Sequence, residues 1–396
     1  MPADTDVPAM VTGARRLRLL LIAPRMRYLN PTTELILDAL GAIAECVPHG
    51  PGFSPEDSLA HPIPEVLRRR GPFDAILVHQ YFAVGNLAAA ASACWLGFDL
   101  ARFLRAFPAF PAALDDVGVP VVALCTMIDQ YAMPSWMRDR LEAFPGTIIT
   151  WPRDSYDPDR VLSDADGAVI ATREFASFST DNARRIIPVH HVVGRADVVP
   201  ADAPGRAPAV AIPGHLYVRR RGALRRLKQE GLLHRSVTQN LLRVALKLAG
   251  GRMLRHRGAI TALRAGYTRV LGSAAIAAVD GSVYDLPVRK YVEVPAAGCA
   301  MLAYPCAGIN GMGHVAGETF LELAGNDDVI EHARALLADA PRRLALAARG
   351  QAMVLARHTG EVRARQIAAC LSAIIDGHYA GATWRAGELV LDTAAP

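Results

Sequence analysis

No two of the six cysteines form a C-x-x-C pair: Cys46, Cys94, Cys125, Cys299, Cys306 and Cys370 are scattered along the chain. That spacing speaks against a disulfide framework or a zinc knuckle, and reduced thiols in a cytoplasmic protein are expected. The N-terminus carries Asp4 and Asp6 with no apolar stretch behind them, so no signal peptide is expected. The longest apolar tract, Ala83–Phe98, is interrupted by Gly85, Asn86 and Ser92 and is too short to span a bilayer. No His/Asp/Glu cluster has metal-ligand spacing, so no metal is expected. Acid is scarce between Arg206 and Arg269, where fifteen Arg and Lys face Glu230 alone. Such a stretch attracts nucleotide phosphates or the anionic surface of a membrane, and a peripheral contact at the inner membrane face is one expectation. Nucleic acid is not expected, because no series of aromatic residues interleaves with the arginines to stack on bases.

What is present is globular. The hydrophobic content of 52% supplies a core, and 396 residues are too many for one ordinary core, so two domains are expected. Apolar runs that read as buried parallel strands (Arg16–Ala23, Ala44–Val47, Asp74–Val78, Val119–Cys125, Thr147–Trp151, Gly167–Ala171) alternate with helical stretches over residues 1–200. Asp202–Pro208, rich in Pro and Gly, reads as a hinge. A second alternation fills residues 201–376, with strands at Ala209–Ile212, Ile276–Val279, Ala300–Tyr304 and Thr319–Leu323. Residues 377–396 read as a tail that packs back on the first domain. Alternation of this kind predicts an α/β protein with two doubly wound, Rossmann-like domains, whose ligands bind beyond the carboxyl ends of the strands.

The stretch Pro287–Leu302, PVRKYVEVPAAGCAML, places Lys290 and Glu293 on one face of a helix. Small residues then lead to Gly298, which suits a left-handed cap before the next strand. A cation for phosphate and a carboxylate for ribose hydroxyls at a sheet edge suit a nucleotide. These residues resemble the signature K-x-x-E-x-x-A-x-G-x-x-x-L of the group 1 glycosyltransferases, and most closely the subset related to the spore maturation protein CgeB. Gly311–Thr319, Ala335–Asp339, Ala348-Arg349-Gly350 and Arg357-His358-Thr359 resemble further motifs of that subset, in the same order. The likeness covers roughly the last 190 residues; the first 200 match only in layout. It implies the GT-B fold, in which two doubly wound domains face across a cleft. It also implies transfer of a sugar from a nucleotide-sugar donor to a hydroxyl acceptor, with no cofactor besides the donor. The rival readings are a nucleotide-sugar epimerase of the same fold and a binding protein that has lost catalysis.

On the donor side, Gly214 ends the first strand of the second domain and precedes Arg219, Arg220 and Arg221 at a helix start, an arrangement suited to pyrophosphate. The resemblance assigns ribose to Glu293 and makes Lys290 a phosphate ligand. It places Asp285, eight positions earlier, at the donor sugar, although the Gly-Phe-Gly of the family is missing after it. His314, in the glycine-rich loop Gly308–Gly317, is a further candidate for the sugar. On the acceptor side, Asp129 and His79 follow strands of the first domain and are the rival candidates for the base that takes the acceptor proton. His190 and His191 sit where the linker strand reaches the cleft.

Overall fold

A computed structural model describes residues 15–25, 30–50, 53–54, 61–84, 114, 117–126, 133, 135–155, 166–214, 218–234, 241, 244, 257–282 and 284–393. Asp129, Cys94 and the stretches expected as helices over 87–107 and 236–248 fall wholly or mostly outside them.

Six parallel strands form the first sheet: β1 (Arg18–Ile22), β2 (Glu45–His49), β3 (Ala75–His79), β4 (Val121–Leu124), β5 (Thr147–Thr150) and β6 (Ile186–Pro188). Their order is β2-β1-β3-β4-β5-β6, so the chain reverses direction along the sheet after β2. The strands are continuous apolar runs because both faces are covered. In β1, Leu20 and Ile22 face the layer built on helix α2 (Ile63–Arg70). Leu19 and Leu21 face the opposite layer, built on helix α1 (Thr32–Ile43). Asn30 opens α1, its Oδ1 accepting from Thr32 N–H at 3.1 Å. Helices α3 (Gln80–Ala83), α4 (Ser135–Glu142) and α5 (Asp166–Asp181) follow β3, β4 and β5. The segment 167–171, expected as a strand, lies in α5; its alanines and single glycine suit either state, and a three-residue β6 already completes that edge of the sheet.

Four parallel strands form the second sheet, in the order β10-β9-β8-β7: β7 (Ala207–Ala211), β8 (Ala274–Val279), β9 (Ala300–Ala303) and β10 (Leu321–Glu322). Helices α6 (Val218–Gln229), α7 (Arg257–Gly272), α8 (Lys290–Ala296), α9 (Asn326–Ala338) and α10 (Ala340–Arg357) complete this half. One buried cluster runs through both halves, from Leu20 and Ile76 to Ala277, Val292 and Met301, so the domains share core at their junction.

Helix α11 (Gly360–Ile375) departs from the expected partition. Its Ala364, Ile367, Cys370 and Leu371 are buried with Ile36 and Leu40 of α1 and with β1 and β3 of the first sheet. Each buried Ile or Leu contributes about 1.5–3 kcal/mol, enough to hold the helix on the first domain rather than the second. Thr359 caps it, accepting from Val362 N–H at 3.2 Å. Residues 379–393 are an antiparallel hairpin, β11 (Tyr379–Arg385) and β12 (Glu388–Thr393). It lies beside β6, with Trp384 Nε1 donating to Pro188 O at 3.0 Å. The crossing is clamped where Val193 N–H donates to His358 O at 2.9 Å and Gly360 N–H to Val193 O at 3.1 Å.

Candidate functional site

Beyond the carboxyl ends of β7, β8 and β9 the second domain gathers charge. Gly214 follows β7 with φ +78°, which glycine adopts without strain. A Cβ there would overlap the Lys290 side chain, so the lysine stem lies directly over this turn. After β8, Asp280 is fully buried and forms an ion pair with Arg220, itself 1% exposed. Arg220 also donates to Pro213 O at 3.1 Å and to Asp280 O at 3.0 Å, joining the ends of β7 and β8. The second Asp280 oxygen, Oδ2, is buried without a hydrogen-bond partner.

Arg219 reaches across to Asp285 at 3.0 Å, and its guanidinium lies 5.3 Å from the centre of the Tyr304 ring, just after β9. The Tyr304 hydroxyl donates to Asn326 Oδ1 at 2.6 Å. Ser282 and Asp285 both have positive φ, 65° and 52°, in the loop that follows β8. Left-handed backbone at non-glycine residues costs free energy, and such residues gather at functional loops. Here it folds the loop back so that Asp285 meets Arg219.

Lys290 is half-buried and makes no ion pair among the described residues. Burial, with the positive charge of Arg220 next, lowers its pKa from the ordinary lysine value to about 7. Arg219, Arg220 and Lys290 thus surround the Gly214 turn at the start of the twelve-residue helix α6. An anion seated there would meet the part-exposed Arg219 guanidinium and an amine that gains a proton as the anion arrives, with Arg220 held behind them by Asp280.

The remaining donor-side candidates are held by other groups of the protein or lie exposed. Arg220 is a buried clasp whose guanidinium is committed to Asp280, not an open phosphate ligand, and Arg221 is exposed on α6. Glu293 is 8% exposed and forms an ion pair with Arg289, which also meets Asp197 at 2.7 Å and Val192 O at 3.2 Å in the linker. Gly298 has φ +68°, and a Cβ there would overlap Val199 O and Ala201, so it admits the linker rather than a ligand. His314 is not available to a sugar. It is 1% exposed, packs edge-on against Phe320, and donates from Nε2 to Tyr291 O at 2.9 Å. Burial lowers its pKa to about 4. The loop around it is pinned, since His358 Nε2 donates to Met312 O at 2.7 Å and Gly387 N–H to Gly311 O at 2.8 Å.

In the first domain His79 is 1% exposed and caps α3, its Nδ1 accepting from Tyr81 N–H at 3.3 Å. Burial lowers its pKa to about 3, which makes it a poor proton acceptor. His191 packs on Trp151 at 4.2 Å and contacts Thr32 Oγ1 at 3.0 Å, at the start of α1. His190 lies against Trp384 at 4.7 Å. Both are buried packing groups of the domain junction.

Sequence reasoning missed Asp280. Its signal is its place directly after the buried run AAIAAV of β8, where an acid has no reason to be unless a cation comes with it. Among the described residues no group of three or more His, Cys, Asp or Glu is placed to hold a metal ion, and no helix is long and apolar enough to cross a membrane.

The family model described as "Glycosyl transferase-like" matches residues 232–369, less than half of the chain. No curated relative matches in sequence. Among solved structures, the chain is similar to HepE of Anabaena in complex with UDP-glucose (12% identity, TM-score 0.52, covering 90% of this chain and 100% of that one). It is also similar to a glycosyltransferase from Rickettsia africae (10% identity, TM-score 0.52, covering 91% and 99%). A third is an α-glucosyltransferase in complex with UDP-glucose and DNA containing an abasic site (9% identity, TM-score 0.50, covering 90% and 100%). At such identities the likeness is one of fold: GT-B, two doubly wound domains facing each other.

Proposed function

We propose that the protein is a glycosyltransferase that moves a sugar from a nucleotide-sugar donor to a hydroxyl acceptor, with the donor held by the second domain. The observation that carries this reading is the cation set around Gly214, with Lys290 lying on the turn and Arg219 beside it at the carboxyl edge of the sheet. A diphosphate carries the charge that this set lacks. Arg219 offers a planar fork to phosphate oxygens, and Lys290 a point charge that rises with the ligand. As the bond from sugar to diphosphate breaks, charge builds on the leaving oxygen, and these cations stabilise it there. The match of the family model over residues 232–369 supports the same assignment, and the order of the closing motifs favours the CgeB-like subset.

Glu293 in this reading takes the ribose hydroxyls, with Arg289 paired to one oxygen of its carboxylate. Asp285, paired with Arg219 at 3.0 Å, is assigned to the donor sugar. With His79 buried as a helix cap, Asp129 is the better candidate for the acceptor's base; it follows β4 in sequence and lies outside the described residues. Neither a metal nor a cofactor enters this scheme. The basic stretch 206–269 remains a proposed peripheral contact with anionic membrane, on the cytoplasmic side.

The test is a thermal-shift screen with UDP, GDP, CDP and TDP, followed by incubation with the matching nucleotide sugars alone and with hydroxyl acceptors. One base should stabilise the protein well above the others, since a ligand that binds only the folded state raises stability with its concentration over Kd. Absence of stabilisation by any nucleotide sinks the reading. Conversion of a donor to its epimer without acceptor replaces it with the epimerase.

A further inference from the structure

The first domain has a cavity of about 270 Å³ at the carboxyl end of edge strand β2, lined by none of the residues around Gly214. Its wall includes His49, Phe53, Ser54, His61, Arg69 and Arg70. His49 is the last residue of β2 and is 3% exposed, yet its Nε2 is buried without a hydrogen-bond partner. Its other nitrogen is fixed. Ser54 Oγ accepts from Gly50 N–H at 3.4 Å and meets His49 Nδ1 at 3.1 Å. With Nδ1 engaged by that hydroxyl, Nε2 is the ring's buried polar atom left to line the cavity. Such a group costs free energy unless a partner reaches it.

The charges on the wall are mostly positive. Arg70 donates to Pro48 O at 3.2 Å from one nitrogen of its guanidinium. Arg69 is shared with Glu65 at 2.5 Å and donates to His61 Nε2 at 3.2 Å. His61 in turn donates from Nδ1 to Glu65 at 3.2 Å, so one acid stands against both arginines. Arg25 adds a third cation over the ring of Phe53, 5.9 Å from its centre. Phe53 itself is 41% exposed, an apolar plate at the rim. Burial and the charges of Arg70 and His61 lower the His49 pKa to about 4, so the ring is neutral.

We propose that this pocket binds the phosphate group of a phosphorylated small-molecule acceptor, with His49 Nε2–H and the guanidinium groups of Arg69 and Arg70 as its donors and Phe53 beneath the attached carbon skeleton. Paired guanidinium groups favour phosphate, whose oxygens accept forked hydrogen bonds. An aromatic plate beside them favours an ester over the bare ion, since it covers the C–H face of a sugar. The pocket stands whatever the second domain transfers; calling its occupant the acceptor rests on the transferase reading.

Titration of the full chain with inorganic phosphate, hexose 6-phosphates and the parent hexoses, with and without saturating nucleotide, tests it. Inorganic phosphate should bind, a hexose 6-phosphate should bind more tightly, the parent hexoses should not, and nucleotide should not displace either. Arg69→Ala and Arg70→Ala, both at exposed positions of α2, should weaken phosphate binding by about tenfold or more while nucleotide binding stays as in wild type. His49→Phe should do the same, with circular dichroism as the check that the variant folds. Failure of phosphate and of its esters to bind, displacement of either by nucleotide, or equal binding by the arginine variants overturns the proposal. Nucleotide binding without phosphate binding would remove this pocket and leave the transferase reading intact. The reverse result would keep the pocket and remove the transferase reading.

Discussion

The strand ends of the two domains are built from different chemistry. In the second domain they carry charge: Asp280 paired with Arg220, Asp285 paired with Arg219, and Lys290 lying over Gly214 without an ion pair among the described residues. In the first domain they carry histidines, His49, His79, His190 and His191, each of them buried and shifted toward the neutral form. Burial is the first cause in all four. A sheet edge of fixed charges attracts an anion and holds it with little reorganisation. The neutral imidazoles supply hydrogen bonds without charge, and the cations near His49 come from helix α2 and Arg25 rather than from the strand ends. The difference teaches how one architecture, used twice, presents two kinds of strand end.

The largest effect comes from breaking the charged edge. Asp280→Ala leaves Arg220 buried without its carboxylate, and such a loss typically costs about 3–5 kcal/mol. Urea denaturation should show that drop, and the double change Asp280→Leu with Arg220→Met should regain most of it. An unchanged midpoint for Asp280→Ala would mean that water reaches Arg220.

The next prediction tests the neutral edge. Asp129→Asn should lower the rate of transfer by at least about a hundredfold with nucleotide affinity unchanged, as removal of a general base does. His79→Gln, which keeps an acceptor for the Tyr81 N–H, should stay active. Normal transfer by Asp129→Asn with loss in His79→Gln reverses the assignment of the base.

Glu293→Gln should weaken nucleotide binding by about one to two decades, the worth of a charged hydrogen bond. Calorimetry with nucleotide and with the free base separates the contribution: only ligands that carry ribose should feel the change. An equal loss for both would leave Glu293 as no more than the partner of Arg289.

The smallest expected effect is in pH. Lys290 is lowered to about 7 in the free protein, and an anion raises it again. A donor diphosphate, which does not itself titrate in this range, should therefore bind with proton uptake. Its affinity should be level below pH 7 and fall above it by at most about tenfold per pH unit. In the ligand-free protein the same group acts on stability with the opposite preference. Its folded pKa lies below the unfolded value, so it costs nothing above about pH 10.5, and the cost grows until pH 7 is passed on the way down. Lys290→Arg should abolish the pH dependence of binding; its persistence would assign the proton elsewhere.

The parts of the fold that the sequence shows are those set by local pattern. The runs RLLLI, AILVH and AAIAAV form strands buried on both faces, as their apolar pattern predicts, and the motifs around Lys290 and Glu293 sit on a helix between β8 and β9 as their spacing predicts. What pattern does not show is which side chains have already found partners. Glu293 reads as a helix-surface acid open to ribose, but Arg289, four residues earlier, holds it. His314 reads as a residue of a mobile glycine loop, but a backbone carbonyl on α8 fixes its ring. The hairpin of β11 and β12 reads as a tail because its alternation, half polar and carried by Gly and Ala, is weak alone and is stabilised by the edge of β6. Long-range pairing decides each case, and no window along the chain contains it.

The crossing of α11 has a consequence for how the protein is made. The face of the first sheet formed by Leu19, Leu21 and Leu77 receives part of its cover from Ile367 and Leu371. The ribosome delivers those residues only after the entire second sheet has emerged. The first domain therefore waits, with one greasy flank open, through the synthesis of its neighbour, and that flank is the surface a chaperone would find on the nascent chain.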